Sequence, residues 1–169
     1  MVYPVVKYGD DVLAAKASPI TTFDGELAKL AADMFESMYA ANGVGLAAPQ
    51  IGISKRIAVI DCSVGKDPNA KIVIINPEIV STGGEQFEEE GCLSVPGFRE
   101  QVKRPQRATV RALDAKGKEF TMEGDGLLAR AFCHETDHLN GQFFLSHLST
   151  LKRDLIKRKI RKMMKAGEW

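Results

Sequence analysis

A chain of 169 residues, 44% hydrophobic and 27% charged, fits one globular domain spanning residues 1–169 with a substantial core, and leaves no length for a second. Three cysteines, Cys62, Cys92 and Cys133, are too few and odd in number for a disulfide framework, which points to a reducing, cytoplasmic setting. No stretch is apolar for long enough to cross a bilayer, and Met1–Tyr8 lacks the basic and apolar runs of a secretory leader, so no membrane partner is expected.

In chain order, the first strong signal is Asp24 to Ala41. Leu27, Leu30, Ala31, Met34 and Met38 recur at helical spacing, with Asp24 placed to cap the start and Asn42-Gly43 to stop it. Arg56 to Cys62 and Lys71 to Asn76 are short β-branched runs that predict strands, with Cys62 read as a buried small hydrophobe. Glu85, Glu88, Glu89 and Glu90 form an acidic cluster that reads as a solvated strand edge for all but Glu90. Gln106 to Leu113 pairs with Lys118 to Glu123 across Asp114-Ala115-Lys116-Gly117 as a hairpin. Gly126 to Asn140 predicts a helix closed by Gly141, and a last helix runs from about Ser149 to Lys165. There is no regular βαβ alternation. The expected fold is α+β, with mostly antiparallel sheets packed around the helix of residues 126–140 and flanked by an N-terminal and a C-terminal helix.

That central helix carries His134-Glu135-Thr136-Asp137-His138. Residues four apart share a helix face, so both imidazoles reach one ion, and Glu135 lies near enough to act as a base toward water there. Asp137 falls off that face and reads as an orienting group for a neighbouring element. An open, catalytic site of this kind needs a third protein ligand. Downstream, Phe144 stands where one metalloprotease pattern needs a histidine, and the later acids Asp154 and Glu168 are poorly placed. Upstream, Glu90-Gly91-Cys92-Leu93-Ser94 offers a thiol in a turn, so Cys92 is the candidate third ligand. Cys133 precedes His134 and points off the metal face.

Together, Gly43-Val44-Gly45-Leu46-Ala47-Ala48-Pro49-Gln50, Glu90-Gly91-Cys92-Leu93-Ser94 and His134-Glu135-Thr136-Asp137-His138 resemble the three motifs of peptide deformylases, in the same order and spacing. The opening Val5-Val6-Lys7-Tyr8-Gly9-Asp10 and the basic last helix are also similar to that family, in its bacterial form with a helical tail.

The resemblance implies that Cys92, His134 and His138 bind one divalent metal. Cysteine and histidine alone suggest Zn2+; the family commonly uses Fe2+ and tolerates Zn2+, Ni2+ or Co2+. It implies hydrolysis of the formyl group on N-formylmethionyl nascent peptides, with release of formate. Glu135 becomes general base and then acid, while the Gln50 side-chain amide and the Leu93 N–H become donors to the developing oxyanion. Gly43 and Gly45 would let an extended peptide lie against the main chain as an added strand. Val44, Leu127 and Ala131 could line a methionine pocket, and Arg99 could hold the peptide backbone.

Lys152, Arg153, Lys157, Arg158, Lys159, Arg161, Lys162 and Lys165 crowd the last helix, so the net charge of +1 leaves the remainder acidic. Leu151, Leu155 and Met163 are expected to face the body. The basic face suggests docking on the ribosome, whose phosphate backbone attracts such a helix; the protein is otherwise expected to be a monomer. Two other readings stay open. A peptide-bond protease would take His147 as third ligand, and a ribosome-binding protein with a structural metal would need no base.

Overall fold

The computed structural model describes residues 1–169 and begins with a single helical turn, α1 (Asp11–Ala14), capped by Asp10. The longer α2 (Gly25–Ala40) starts where the Asp24 carboxylate accepts the Leu27 N–H at 3.0 Å, which satisfies one of the open donors of the first turn. Its stripe of Leu27, Ala31, Met34 and Met38 is buried.

Five strands follow as one antiparallel sheet. They are β1 (Gly45–Ala47), β2 (Ile57–Ile60), β3 (Ile72–Gly83), then, after an intervening ribbon of β4 (Gln86–Gly91) and β5 (Arg99–Arg104), β6 (Arg107–Leu113) and β7 (Glu119–Asp125). The order across the sheet is β1-β2-β3-β6-β7, with β1 at one edge. The predicted hairpin is β6–β7, in which Arg111 faces Thr121 and Leu113 faces Glu119. Helix α3 (Leu127–Leu139) carries the two histidines and ends before Gly141, which takes a left-handed φ of 76°.

Alternation along the strands explains how two helices share one sheet. Leu46, Ile57, Val59 and Ile75 pack with Leu27, Met34 and Met38 of α2. Their neighbours Ala47, Ala58, Ile60 and Ile74 point the other way and pack with Ala131, Phe132 and Leu139 of α3. The sheet is thus sandwiched, and β2 is buried on both faces, which is why its sequence is a continuous apolar run. Phe132 is fully enclosed; cutting it to alanine costs about 3–5 kcal/mol at such a site.

A third cluster gathers Leu13, Val95, Val102, Phe144, Ile156 and Ile160 beneath α4 (Thr150–Lys165), whose first turn is capped by Ser149. The face of α4 turned to the body differs from the expected one. Ile156 and Ile160 are buried, whereas Leu151 is 71% and Leu155 44% exposed, because the inward stripe is set by Ile156, Ile160 and a half-buried Met163.

Three further differences have physical causes. β3 runs on past Asn76-Pro77, where strand pairing breaks register: Asn76 adopts a φ of 49°, and its side chain exchanges two 2.9 Å hydrogen bonds with the Ile20 backbone. A proline at a bulge leaves the strand intact. The ribbon β4–β5 shows only Glu90, Val102 and Arg104 buried, so its hydrophobic pattern was too thin to predict a strand pair. Cys62 is half-buried rather than enclosed, because β2 ends at Ile60 and Cys62 lies in the turn beyond it.

Candidate metal centre

The floor of the site is built by α3 and the turn after β4. His134 and His138 project from one face of α3 with their Nε2 atoms 3.1 Å apart. Cys92 follows Gly91 at the end of β4, in a turn closed by the Val95 N–H donating to the Cys92 carbonyl at 3.0 Å. Its sulfur lies 3.2 Å from His138 Nε2, and the three donor atoms all lie within 4.8 Å of one another. Neighbouring N and S ligands of a tetrahedral ion at bond lengths of 2.0 to 2.3 Å sit roughly 3.4–3.6 Å apart, so this set closes around one cation with little adjustment.

The tautomer of His134 is fixed from behind. Its Nδ1 lies 2.7 Å from Glu90 Oε2, so Nδ1–H donates to the carboxylate and Nε2 is the nitrogen turned to the cluster. Glu90 is itself clamped: Arg104 donates from Nη2 at 2.8 Å and Arg130 from Nη1 at 2.6 Å, and all three side chains are buried. Burial opposes the charge on Glu90, yet His134 and Arg104 hold its carboxyl well below the usual carboxylate range. Burial also opposes a charge on His134, but Glu135, the Cys92 sulfur and Glu90 together hold that ring well above the usual imidazole range. Burial and the neighbouring His134 push the His138 ring the other way, well below that range, so the two rings differ in the form their surroundings favour.

Glu135 is 4% exposed, and burial pushes its carboxyl up to about 7. Its Oε1 has no hydrogen-bond partner, nor does His138 Nδ1. Room for the carboxylate comes from Gly45: a Cβ there would stand 2.5 Å from Glu135 Oε2. Gln50 lies on a 3-10 turn, Ala48–Ile51, after β1. Its Oε1 accepts the Ala47 N–H at 3.0 Å, so Nε2 is turned toward Cys92 Sγ at 3.5 Å and Ser94 Oγ at 3.2 Å. The Leu93 N–H has no backbone partner.

Above this floor opens a cleft of about 490 Å³, lined by Gly43, Val44, Gly45, Gln50, Cys92, Leu93, Arg99, Leu127, Ala131, His134 and Glu135 among others. The sequence-derived residues are thus gathered in one place. Leu127 is 49% exposed at the cleft rather than packed in the core, and Arg99 pairs with Glu89 at 2.6 Å on the rim. Asp137 faces away, accepting from Arg104 at 2.8 Å beside His147 at 2.8 Å. His147 belongs to that group and not to the donor cluster, which removes it as a third ligand. Cys133 also lies off the cluster, its thiol pushed up to about 11 by burial.

Sequence reasoning missed Arg104 and Arg130. Neither stands in a motif, and the only signal was Glu90, an acid that needed an internal counter-charge.

A family model for polypeptide deformylase matches residues 2–154. The chain belongs to the peptide deformylase family. A peptide deformylase of Acidobacterium capsulatum is 58% identical over 169 residues, covering 100% of this chain and 99% of that protein. The crystal structure of a peptide deformylase from Legionella pneumophila superposes with a TM-score of 0.90 at 48% identity, covering 99% of this chain and 98% of the other. That from Thermus thermophilus gives 0.89 at 41% identity, with the same coverage. As a member of the deformylase family the chain is a metal-dependent hydrolase, and Cys92, His134 and His138 fit the metal site of such an enzyme.

Proposed function

We propose that the chain removes the formyl group from the N-terminal methionine of nascent proteins, releasing formate and a free amine. The observation that carries this reading is the buried Glu135, with its unpartnered Oε1, on the helix turn that joins two of the three converging donors. Cys92, His134 and His138 would hold one divalent ion, Fe2+ in the native enzyme, with Zn2+, Ni2+ or Co2+ able to replace it. When bound, that ion acidifies water and polarises the formyl carbonyl.

The chain's own groups do the rest. Glu135 takes the proton of the attacking water as oxygen joins the formyl carbon. It then returns that proton to the amine nitrogen as the C–N bond breaks. A carboxyl raised to about 7 by burial suits a group that must both accept and donate near neutrality. Gln50 Nε2, held by the Ala47 contact, and the Leu93 N–H donate to the oxygen that gains charge. Gly43, Val44 and Gly45 line the cleft and lead into the edge strand β1, a place where an extended peptide could add as a further strand. Val44, Leu127 and Ala131 would surround the methionine side chain, and Arg99 would hold the peptide main chain.

The catalytic domain in this reading is the whole of residues 1–169, acting in the cytoplasm as a monomer. No helix is long and apolar enough to cross a membrane. The basic face of α4 would dock on the ribosome.

The test follows formate release from an N-formylmethionyl peptide with anaerobically purified protein. Wild type should release formate and Glu135→Ala should not, although it keeps its metal. Cys92→Ala should lose both. Metal-loaded wild type that releases no formate would overturn the reading.

A further inference from the structure

The end of α4 is tied to the wall of the cleft by a residue outside every motif. Gly167, at a φ of 72°, reverses the chain: its N–H donates to the Met164 carbonyl, and the Glu168 N–H donates to the Met163 carbonyl at 2.9 Å. This turn carries Trp169 back onto the body. Its indole Nε1–H donates to the Tyr8 carbonyl at 2.8 Å, and its ring meets Phe98 with centroids 6.2 Å apart at 57°. Lys7 stands over the indole at 5.9 Å.

Phe98 lines the cleft. It is delivered there by a tight turn in which the Phe98 N–H donates to the Val95 carbonyl at 3.4 Å and Gly97 takes a φ of 86°. Trp169 and Phe98 are both half-buried on the same apolar cluster, which includes Cys92 and Val95. The segment that receives the indole is fixed on the catalytic side: Tyr8 N–H donates to the Ser94 carbonyl and Val6 N–H to the Gln50 carbonyl, both at 2.8 Å. Trp169 therefore closes a bracket from α4, through residues 6–8, to the loop of residues 92–98.

We propose that Trp169 is a specificity-determining positioning residue: by bracing Phe98 it shapes an apolar subsite for the part of the peptide that lies beyond the formylated methionine. This rests on the deformylase reading of the cleft and assigns a substrate feature within it. Phe98 lines the same cleft as the donor cluster, so in this proposal a formyl dipeptide stops short of it and a longer peptide with an apolar residue meets it. The brace acts on binding of the longer peptide, so its loss appears in KM for that peptide rather than in the chemical step.

The measurement compares kcat/KM for formyl-Met-Ala with that for a formyl-Met tetrapeptide carrying a downstream leucine. In Trp169→Ala the long-to-short ratio should fall about five-fold, through KM. Trp169→Phe, which keeps a smaller aromatic face and loses the Nε1–H donor, should hold more of the ratio than Trp169→Ala does. Trp169 is the only tryptophan in the chain, so its emission reports the brace directly. Adding the deformylated tetrapeptide to wild type should shift that emission, and the dipeptide should not. An unchanged ratio in Trp169→Ala overturns the proposal, as does an equal loss on both peptides, which marks a general structural role. Wild type that releases formate from neither peptide overturns the deformylase reading itself, and this subsite with it.

Discussion

Glu90 Oε2 lies 2.7 Å from His134 Nδ1, deep beneath the donor cluster, and the same carboxylate receives both Arg104 and Arg130. One side chain therefore orients a proposed metal ligand and pairs with two buried guanidinium groups, one of which Asp137 also meets. A glutamine in its place keeps the shape but leaves Arg130 without a counter-charge and Arg104 with Asp137 alone. For Glu90→Gln we expect metal affinity to fall about 10–100-fold and stability to fall by about 3–5 kcal/mol. Competitive metal titration and denaturant unfolding read the two losses separately. Full metal affinity in a destabilised variant would mean that Glu90 serves the fold alone.

Gly45 and Glu135 are a matched pair across the cleft, since a Cβ on residue 45 would stand 2.5 Å from Oε2 and 2.9 Å from Cδ of Glu135. The glutamate is held at its base by α3 and enclosed above, so it must swing aside. Gly45→Ala should lower kcat by about 100-fold, the scale of an ångström-sized misplacement of a catalytic group. The metal content should not change, because Cys92, His134 and His138 are untouched. Loss of the metal together with activity would place the damage in the fold and not in the base.

Most of the site was legible because its chemistry follows spacing on one element. His134 and His138 share a face of α3 by helical period alone, and Glu135 follows from its place between them. Helix α2 and the β6–β7 hairpin were legible for the same reason: caps and alternation are local. Cys92 lies far from the helix in sequence; the need for a third ligand and the poor downstream candidates pointed to it, and the resemblance to a family then implied the same residue. The acidic run of β4 was read as a strand edge, but its pairing with β5 was hidden because charge pairs stabilise it where apolar alternation would have been visible: Glu90 with Arg104, and Glu89 with Arg99. The inward face of α4 was misread because Leu151 and Leu155 obey helical spacing as well as Ile156 and Ile160 do, and only the body decides which stripe is covered.

Tyr39 and Asp61 make a test of pH dependence away from the metal. Asp61 is fully buried; it accepts from Ser63 N–H at 2.9 Å, Ser63 Oγ at 2.6 Å, Gly65 N–H at 3.0 Å and the Tyr39 hydroxyl. Burial opposes its charge, but the Ser63 and Tyr39 donors bring it down to about 2, while burial and Asp61 push Tyr39 up to about 12. The depressed carboxyl contributes stability above its unfolded value of 3.8, lost as pH falls from there through about 2. The raised phenol contributes stability below its unfolded value of 10.0, lost as pH rises from there through about 12. Tyr39→Phe should cost about 1.5–3 kcal/mol across the neutral range, the worth of a hydrogen bond to a charged group. The difference from wild type should shrink in both outer windows. Urea unfolding at a series of pH values checks this, and a pH-independent difference would show that the lost hydroxyl matters only for packing.

The basic face of α4 is separable from its buried face, and that allows the proposed ribosome contact to be tested without disturbing the core. Arg158, Arg161 and Lys162 are exposed, while Ile156 and Ile160 hold the helix down. Deleting the helix would uncover Val95 and Val102 next to Cys92, so a truncation confounds docking with damage to the site. Charge reversal avoids this. The triple change Arg158→Glu, Arg161→Glu and Lys162→Glu should leave thermal stability within about 0.5 kcal/mol per position, as exposed changes do. It should abolish ribosome co-sedimentation at low salt, and wild-type binding should itself weaken steeply as salt is raised, because release of counterions from phosphates drives such contacts. Formate release from a free peptide should be retained, since none of the three lines the cleft. Co-sedimentation that survives the reversal would assign any ribosome contact to another surface and leave the basic face with a role in solubility alone.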